Sequence, residues 1–402
     1  MPLNKIDSWL FYRVDSLEHL LRSVSQKGNL YGVLAVLLVL TACEPPDPSI
    51  KPQSQNTPSP TTQLTLNKAT LEQTNAKGQN LWKLQVQEAQ YSPDRKNAKL
   101  TKLKGDLYEN GKVVLKVSAD QGEINEDGAV IVLRDNIVAV DPRNKAVLRS
   151  QEIEWRPKDS MLKTRQPLKG SHRELEVLAQ QGQYDTKQQQ LTLTGKVEAV
   201  APQKTITLKT EELRWDIPKH LIKGEKTMTL ARYQNKEITD QVISQKTELN
   251  LQQKAVIVRD PIEFKSLKPP LQVAGKDLKW QYEKRLVESQ QPLQILDYQN
   301  QVTVTGNRGK VDFTQNKAWL MDGTQSISQA QESQLFANQL TWDMQGQTLE
   351  ALGNVVYEQK KGVKFNLTGD KAVGSLVNNQ IIVTSDRPER VVTEIYPSPK
   401  GN

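Results

Sequence analysis

Three histidines and one cysteine have the widest chemical repertoire in this 402-residue chain, and their spacing gives them little to work with. His19 falls in a leader-like segment, while His172 and His220 stand in polar, turn-like surroundings where a solvated imidazole is expected. No H-x-x-x-H pair and no cysteine pair offers a metal site. There is no Gly-rich loop to cradle a phosphate and no G-x-S-x-G elbow, so neither enzymatic chemistry nor a cofactor is expected. Cys43 is the exception. A lone cysteine forms no intrachain disulfide, but Leu40-Thr-Ala-Cys43 resembles the bacterial lipobox, in which small residues admit the peptidase and the thiol is diacylated before cleavage. The chemistry this predicts is a lipid anchor on Cys43.

The flanking residues fit an anchor. Leu30 to Ala42 is an apolar run that would span about 20 Å as a helix, short of the ~30 Å hydrocarbon core. Residues 1–42 therefore read as a lipoprotein-type signal peptide. Its n-region is long and carries Asp7, Asp15 and Glu18 beside Lys5, Arg13, Arg22 and Lys27. Leu10, Val14, Leu17, Leu21 and Val24 share one helical face, so an interfacial helix or an early start codon both account for the length. Residues 43–63 hold six prolines among Ser, Thr and Gln, and such a segment reads as an extended tether. If the anchor is real, Cys43→Ser should move the protein from the membrane to the soluble fraction. Retention would point to the apolar run as a true membrane anchor.

The rest of the chain is organised by repetition. Glu152-Ile-Glu-Trp155 returns as Glu212-Leu-Arg-Trp215, Asp277-Leu-Lys-Trp280 and Gln339-Leu-Thr-Trp342, the tryptophans lying 60, 65 and 62 residues apart. Thirty-six residues before each stands a second phrase: Ala119-Asp-Gln-Gly-Glu-Ile124, Ala179-Gln-Gln-Gly-Gln-Tyr184, Ser244-Gln-Lys-Thr-Glu-Leu249 and Gly306-Asn-Arg-Gly-Lys-Val311. A fixed offset inside a variable period is the signature of a tandem structural repeat. Aligned on the tryptophan, six columns are apolar in all four copies. Besides the tryptophan they are Ile153, Leu213, Leu278, Leu340; Leu162, Ile222, Val287, Leu349; Leu168, Met228, Leu293, Val355; Leu133, Leu193, Val258, Leu320; and Ile131, Leu191, Val256, Ala318. The carboxylates Glu152 and Glu154 are replaced by Glu212/Arg214, Asp277/Lys279 and Gln339/Thr341, which is the drift of a solvent face rather than of catalytic acids.

Apolar residues alternate with period two from Leu64 onward, as in Leu191-Thr-Leu193 and Val302-Thr-Val304. This predicts an all-β chain with one buried face per strand. Hydrophobic content of 36% leaves little for a second buried face. Arg134-Asp-Asn136, Thr194-Gly-Lys196, Arg259-Asp-Pro261 and Met321-Asp-Gly323 follow apolar strands and read as tight hairpin turns. Each repeat is then expected to hold about six short antiparallel strands. The net charge of +8 is spread evenly, with no basic run to track a phosphate backbone, so nucleic acid is not an expected partner.

Trp82-Lys-Leu-Gln-Val-Gln-Glu-Ala-Gln-Tyr91 followed by the repeat phrase resembles the start of the LptC family. The repeats are similar to the OstA-like module shared by LptC, LptA and the N-terminal part of LptD. The matching phrases are Ala179-Gln-Gln-Gly-Gln-Tyr184, Leu193-Thr-Gly-Lys-Val197 and Leu162-Lys-Thr-Arg-Gln-Pro167-Leu168, and the likeness covers about residues 64 to 395. The resemblance implies an elongated twisted β-jellyroll, open along one side, built from about four tandem ~62-residue repeats. With ~30 strands over two sheets at ~4.8 Å spacing, the body would run to around 70 Å. It further implies an apolar groove for lipopolysaccharide acyl chains, lined by Ile153, Trp155, Leu162, Leu213, Trp215, Ile222, Leu278, Trp280, Val287, Leu340, Trp342 and Leu349.

On this reading residues 64–118 are LptC-like cap strands, 119–368 the four repeats, and 369–402 a partial terminal repeat and tail. The expected protein is a periplasmic, membrane-anchored, passive conduit for lipopolysaccharide or a related glycolipid. Its partners would be an inner-membrane LptBFG-type ABC transporter and LptA/LptD-type modules joined by edge-strand pairing. The inner membrane is the expected site of the anchor, with the outer membrane as the alternative. LptC is usually anchored by a transmembrane helix and is about half as long, so this chain departs from the family in both respects. The competing reading is a structural or protein-binding β-solenoid lipoprotein. A conduit should leave its apolar columns facing an open groove, whereas a packed solenoid should close over them.

Overall fold

The computed structural model describes residues 63–385 and 391–396. These form a twisted all-β jellyroll: 26 strands in one antiparallel ladder, with three single-turn 3-10 segments at Glu126–Gly128, Pro157–Asp159 and Pro202–Lys204.

The alternation in the sequence sets the fold. In the strand Gln190–Val200, Leu191, Leu193, Val197 and Ala199 are buried while Glu198 is exposed. Among the described residues no helix covers the apolar face, so the sheet covers itself, and it does so by bending most of the long strands near the middle. Along Gln190–Val200 the ladder to Ile206–Asp216 shifts between Thr194 and Val197, where Gly195 and Lys196 take φ of 78° and 47°. The half-strands on either side of such a corner belong to two facing sheets. Phe264 and Trp280 show this: their ladder partners are Val273 and Val256, yet their rings meet edge-on at 5.5 Å across the interior.

The phrases read as hairpin turns are these corners. Asp135 and Asn136 (φ 61° and 51°) and Asp322 and Gly323 (64° and 91°) lie inside strands, not between them. The ladder likewise steps from Arg259 to Ile262. Residues tolerant of positive φ serve a two-residue bulge as readily as a reversal, so local sequence does not separate the two. The expectation of six short strands per repeat is corrected for the same reason. Most strands run 10–14 residues through both sheets. Shorter ones are often halves of one bent strand, as with Met161–Thr164 and Leu168–Ser171, which both pair with Val147–Arg156.

The corners explain small-residue columns that the apolar pattern did not single out. Ala119, Ala179, Ser244 and Gly306 are buried there, as are Thr164, Gly224, Ser289 and Ala351. Two sheets converging on a common edge leave no room for bulk. The buried hydroxyls return hydrogen bonds to corner carbonyls: Ser244 Oγ donates to Arg259 O at 2.7 Å and Ser289 Oγ to Asp277 O at 2.7 Å. At Gly182 a Cβ would lie 2.7 Å from Leu168 Cδ2 and 3.1 Å from Leu193 Cδ2. Gly182→Val is therefore expected to cost about 1–3 kcal/mol by overpacking, read as a lower urea midpoint at unchanged slope.

Candidate functional site

The interior between the sheets is the candidate site. Each of the four tryptophans holds the same place in the ladder. Trp155 lies between Ile131 and Leu162, Trp215 between Leu191 and Ile222, Trp280 between Val256 and Val287, and Trp342 between Ala318 and Leu349. Two residues earlier, Ile153, Leu213, Leu278 and Leu340 pair with Leu133, Leu193, Val258 and Leu320. All twelve residues expected to line a groove face inward and belong to one continuous apolar cluster. They are packed, with the tryptophans at most 1% exposed and the most accessible of the twelve, Leu349, at 5%. A cleft of about 30 Å³ remains beside Trp215, between Leu162, Tyr184 and Leu191 on one sheet and Ala139, Leu148 and Gly170 on the other. That is room for about one water, not for an acyl chain.

The two long sides of the interior are closed in different ways. The corner side is covalent chain and continuous ladder. The other side, the mouth, is formed by two facing rows of hairpin tips. Among the described residues the hydrogen bonds across it each involve a side chain. Gln73 Nε2 donates to Asp127 O at 2.6 Å, and Ser160 Oγ to Glu109 Oε1 at 2.9 Å. Next come Arg143 Nη2 to Thr186 O (2.7 Å), Tyr184 Oη to Asp141 Oδ2 (2.6 Å) and Asn144 Nδ2 to Gln189 Oε1 (2.9 Å). His220 Nδ1 lies 2.6 Å from Glu174 Oε1. Burial drives the Tyr184 hydroxyl pKa up, with the bond to Asp141 adding to it. Burial likewise pushes the Tyr282 hydroxyl up to about 12.

The strongest latch is Asp240 with Arg285. Asp240 is fully buried, and Arg285 grips it through Nη2–Oδ1 at 2.8 Å and Nε–Oδ2 at 3.1 Å, also donating to Lys268 O at 2.8 Å. Arg232 Nη1 approaches Asp240 at 3.5 Å and donates to Thr239 Oγ1 at 2.6 Å. Burial lowers the Arg232 guanidinium pKa, and Asp240 works against that. Arg285 also lies over the Phe313 ring at 5.6 Å, a cation–π contact.

Of these latch residues the sequence marks only Tyr184, which ends a repeat phrase, and His220, expected to be solvated; the others, Asp240 and Arg285 included, are ordinary polar or charged residues near turns. The expectation of a solvated His172 is corrected. Its side chain is 4% exposed, and its ring meets Trp215 edge-on at 5.2 Å, because the 172–175 hairpin folds inward at the mouth. Burial lowers its pKa, and Glu174 pulls the other way. Among the described residues no group of three or more His, Cys, Asp or Glu could hold a metal.

Among the described residues both ends of the ladder are open. There the first strand, Thr65–Thr74, pairs only with Asn80–Tyr91. The last two described strands, Gln380–Thr384 and Val392–Tyr396, pair there only with Lys364–Ser375 and expose Ile382, Val392 and Ile395.

A family model described as "Lipopolysaccharide-assembly, LptC-related" matches residues 30–173 and again 168–239, together more than half of the chain. The chain belongs to the LptC-related family. The second match begins within the strand Leu168–Ser171, so LptC-like sequence occurs twice in tandem along one unbroken ladder. The matched stretch stops at 239, whereas the ladder continues through strands of the same kind to Val392–Tyr396. No curated protein matches this LptC-related chain. Membership implies a role in lipopolysaccharide transport on the periplasmic side of the envelope. Among the described residues no helix is long and apolar enough to cross a membrane. Cys43, the expected signal peptide over residues 1–42 and most of the expected tether over 43–63 lie outside the described residues.

Proposed function

We propose that this protein is a passive conduit for lipopolysaccharide or a related glycolipid, whose acyl chains travel between the two sheets along the tryptophan columns. The observation that carries the reading is the asymmetry of closure. An apolar interior runs through the ladder, and along its mouth only side-chain contacts hold the sheets together. Among the described residues parting the sheets there breaks no backbone–backbone hydrogen bond, so chains can enter laterally while the corner side acts as the spine. Energy comes from a separate ATPase of the LptBFG type. The open strands at either end suit edge pairing with LptA- or LptD-type modules. Cys43 holds the chain to the inner membrane through its lipid, and residues 43–63 set the standoff.

The closed packing of the columns favours a second reading, a structural or protein-binding β-solenoid lipoprotein whose interior stays dry. The two differ in whether lipid reaches the interior in cells. A photo-crosslinking residue at Ile222 should capture glycolipid while one at Arg214 on the solvent face should not. Adducts at neither position favour the solenoid.

A further inference from the structure

The four column tryptophans share a second property. The indole Nε1 atoms of Trp155, Trp215, Trp280 and Trp342 are all buried, and none has a hydrogen-bond acceptor among the described residues. A buried indole N–H ordinarily finds a partner, and Trp82 shows that this fold can supply one. Trp82 lies outside the series, and its Nε1 donates to Gln73 Oε1 at 2.9 Å and to Gly128 O at 3.3 Å. Ring contacts do not account for the pattern. Trp215 meets His172 and Trp280 meets Phe264 edge-on, but Trp155 and Trp342 have no such neighbour among the described residues. What all four have in common is a donor without an acceptor, left at one register position four times over. Each unsatisfied donor costs stability, a cost that an aromatic side chain without an N–H would not carry.

An indole N–H can only donate, so its ligand must present an acceptor. Aliphatic and aromatic side chains make up most of the surrounding cluster, with the His172 ring beside Trp215, so that ligand must otherwise be largely apolar. We propose that the four indole N–H groups are a row of docking points for oxygen atoms carried on the acyl chains of an amphiphile: ester or amide carbonyls, or chain hydroxyls. The assignment rests on the conduit reading and adds a chemical selectivity to it. Successive tryptophans are four strands apart in the ladder, through Met161–Thr164, Gln181–Asp185 and Gln190–Val200 in the first interval. At ~4.8 Å per strand that places the points about 19 Å apart. Equivalent, individually weak sites at regular intervals suit a carrier that must bind its cargo and also let it go, the requirement met by multi-site pores.

The test uses the full-length protein, Trp215→Phe and Trp82→Phe, with two radiolabelled probes: a saturated fatty-acid methyl ester and the n-alkane of the same length. Trp215→Phe keeps an aromatic ring and removes the donor. Its denaturation midpoint should fall less than that of Trp82→Phe, since both lose the same ring volume but only Trp82 loses a paired donor. Its affinity for the ester should drop about three- to tenfold more than its affinity for the alkane, as for one lost neutral hydrogen bond. Trp155→Phe, at the equivalent position, should give the same contrast. A fall in the Trp215→Phe midpoint like that of Trp82→Phe would mean the donor already has a partner, such as an ordered water, and would overturn the proposal. Equal changes for ester and alkane overturn it as well and leave the conduit standing. Failure of the wild-type protein to bind either probe overturns both.

Discussion

Asp240→Ala should lower the unfolding free energy by about 3–5 kcal/mol, the range found when one partner of a buried ion pair is removed. Asp240 is fully buried, and the substitution leaves Arg285 and Arg232, whose side chains are only 16% and 15% exposed, facing each other without a counter-ion. Solvent screening of the remaining guanidinium groups is therefore small. A double-mutant cycle with Arg285→Met separates the pair's own worth from the cost of the orphaned charge. The double variant should recover much of the loss, because replacing both partners by apolar groups is often close to neutral. A single Asp240→Ala loss below about 1 kcal/mol would place the pair in the class of exposed surface bridges and remove it as the principal latch.

Locking the mouth should stop transport without unfolding the protein. Glu174 and His220 stand on opposite hairpin rows with side chains in contact. Replacing both by cysteine and joining them with a short, cleavable bis-thiol reagent ties the sheets together at that point. If chains enter by separation of the sheets, glycolipid delivery to the outer membrane should fall to background once bridging is complete. It should return when the bridge is cleaved. The unbridged double variant should transport, since the native contact is one polar latch among several. Full transport through a bridged mouth would require entry from the open ends of the ladder instead.

Much of the fold was legible in the sequence because it depends on a periodic quantity. Alternation of apolar residues fixes which side of each strand is buried, and the Ile/Leu-x-Trp phrase marks a ladder position that the structure keeps. What was not legible depends on three-dimensional closure. Asp135-Asn136 and Gly195-Lys196 carry the local chemistry of a reversal, and only the continuation of the ladder shows that they bend a strand within one sheet. Asp240 and Arg285 are 45 residues apart and resemble any other charged residues near turns. Their meeting follows from two hairpin rows facing across the mouth, which no local pattern records. His172 escaped for the same reason, since its burial is produced by Trp215 on the facing sheet. The unpaired indoles were hidden differently: their register was plain in the sequence, but the absence of an acceptor is a property of the packed interior.

The most direct test of the account is site-specific photo-crosslinking at successive columns in living cells. A photoreactive residue is placed in turn at Leu162, Ile222, Val287 and Leu349, with Arg214 and Lys279 as solvent-face controls. A conduit should give glycolipid adducts at all four interior positions, dependent on the partner ATPase, and none at the controls. Protein that is folded and membrane-bound yet gives no interior adducts would contradict it and leave the closed solenoid as the better description.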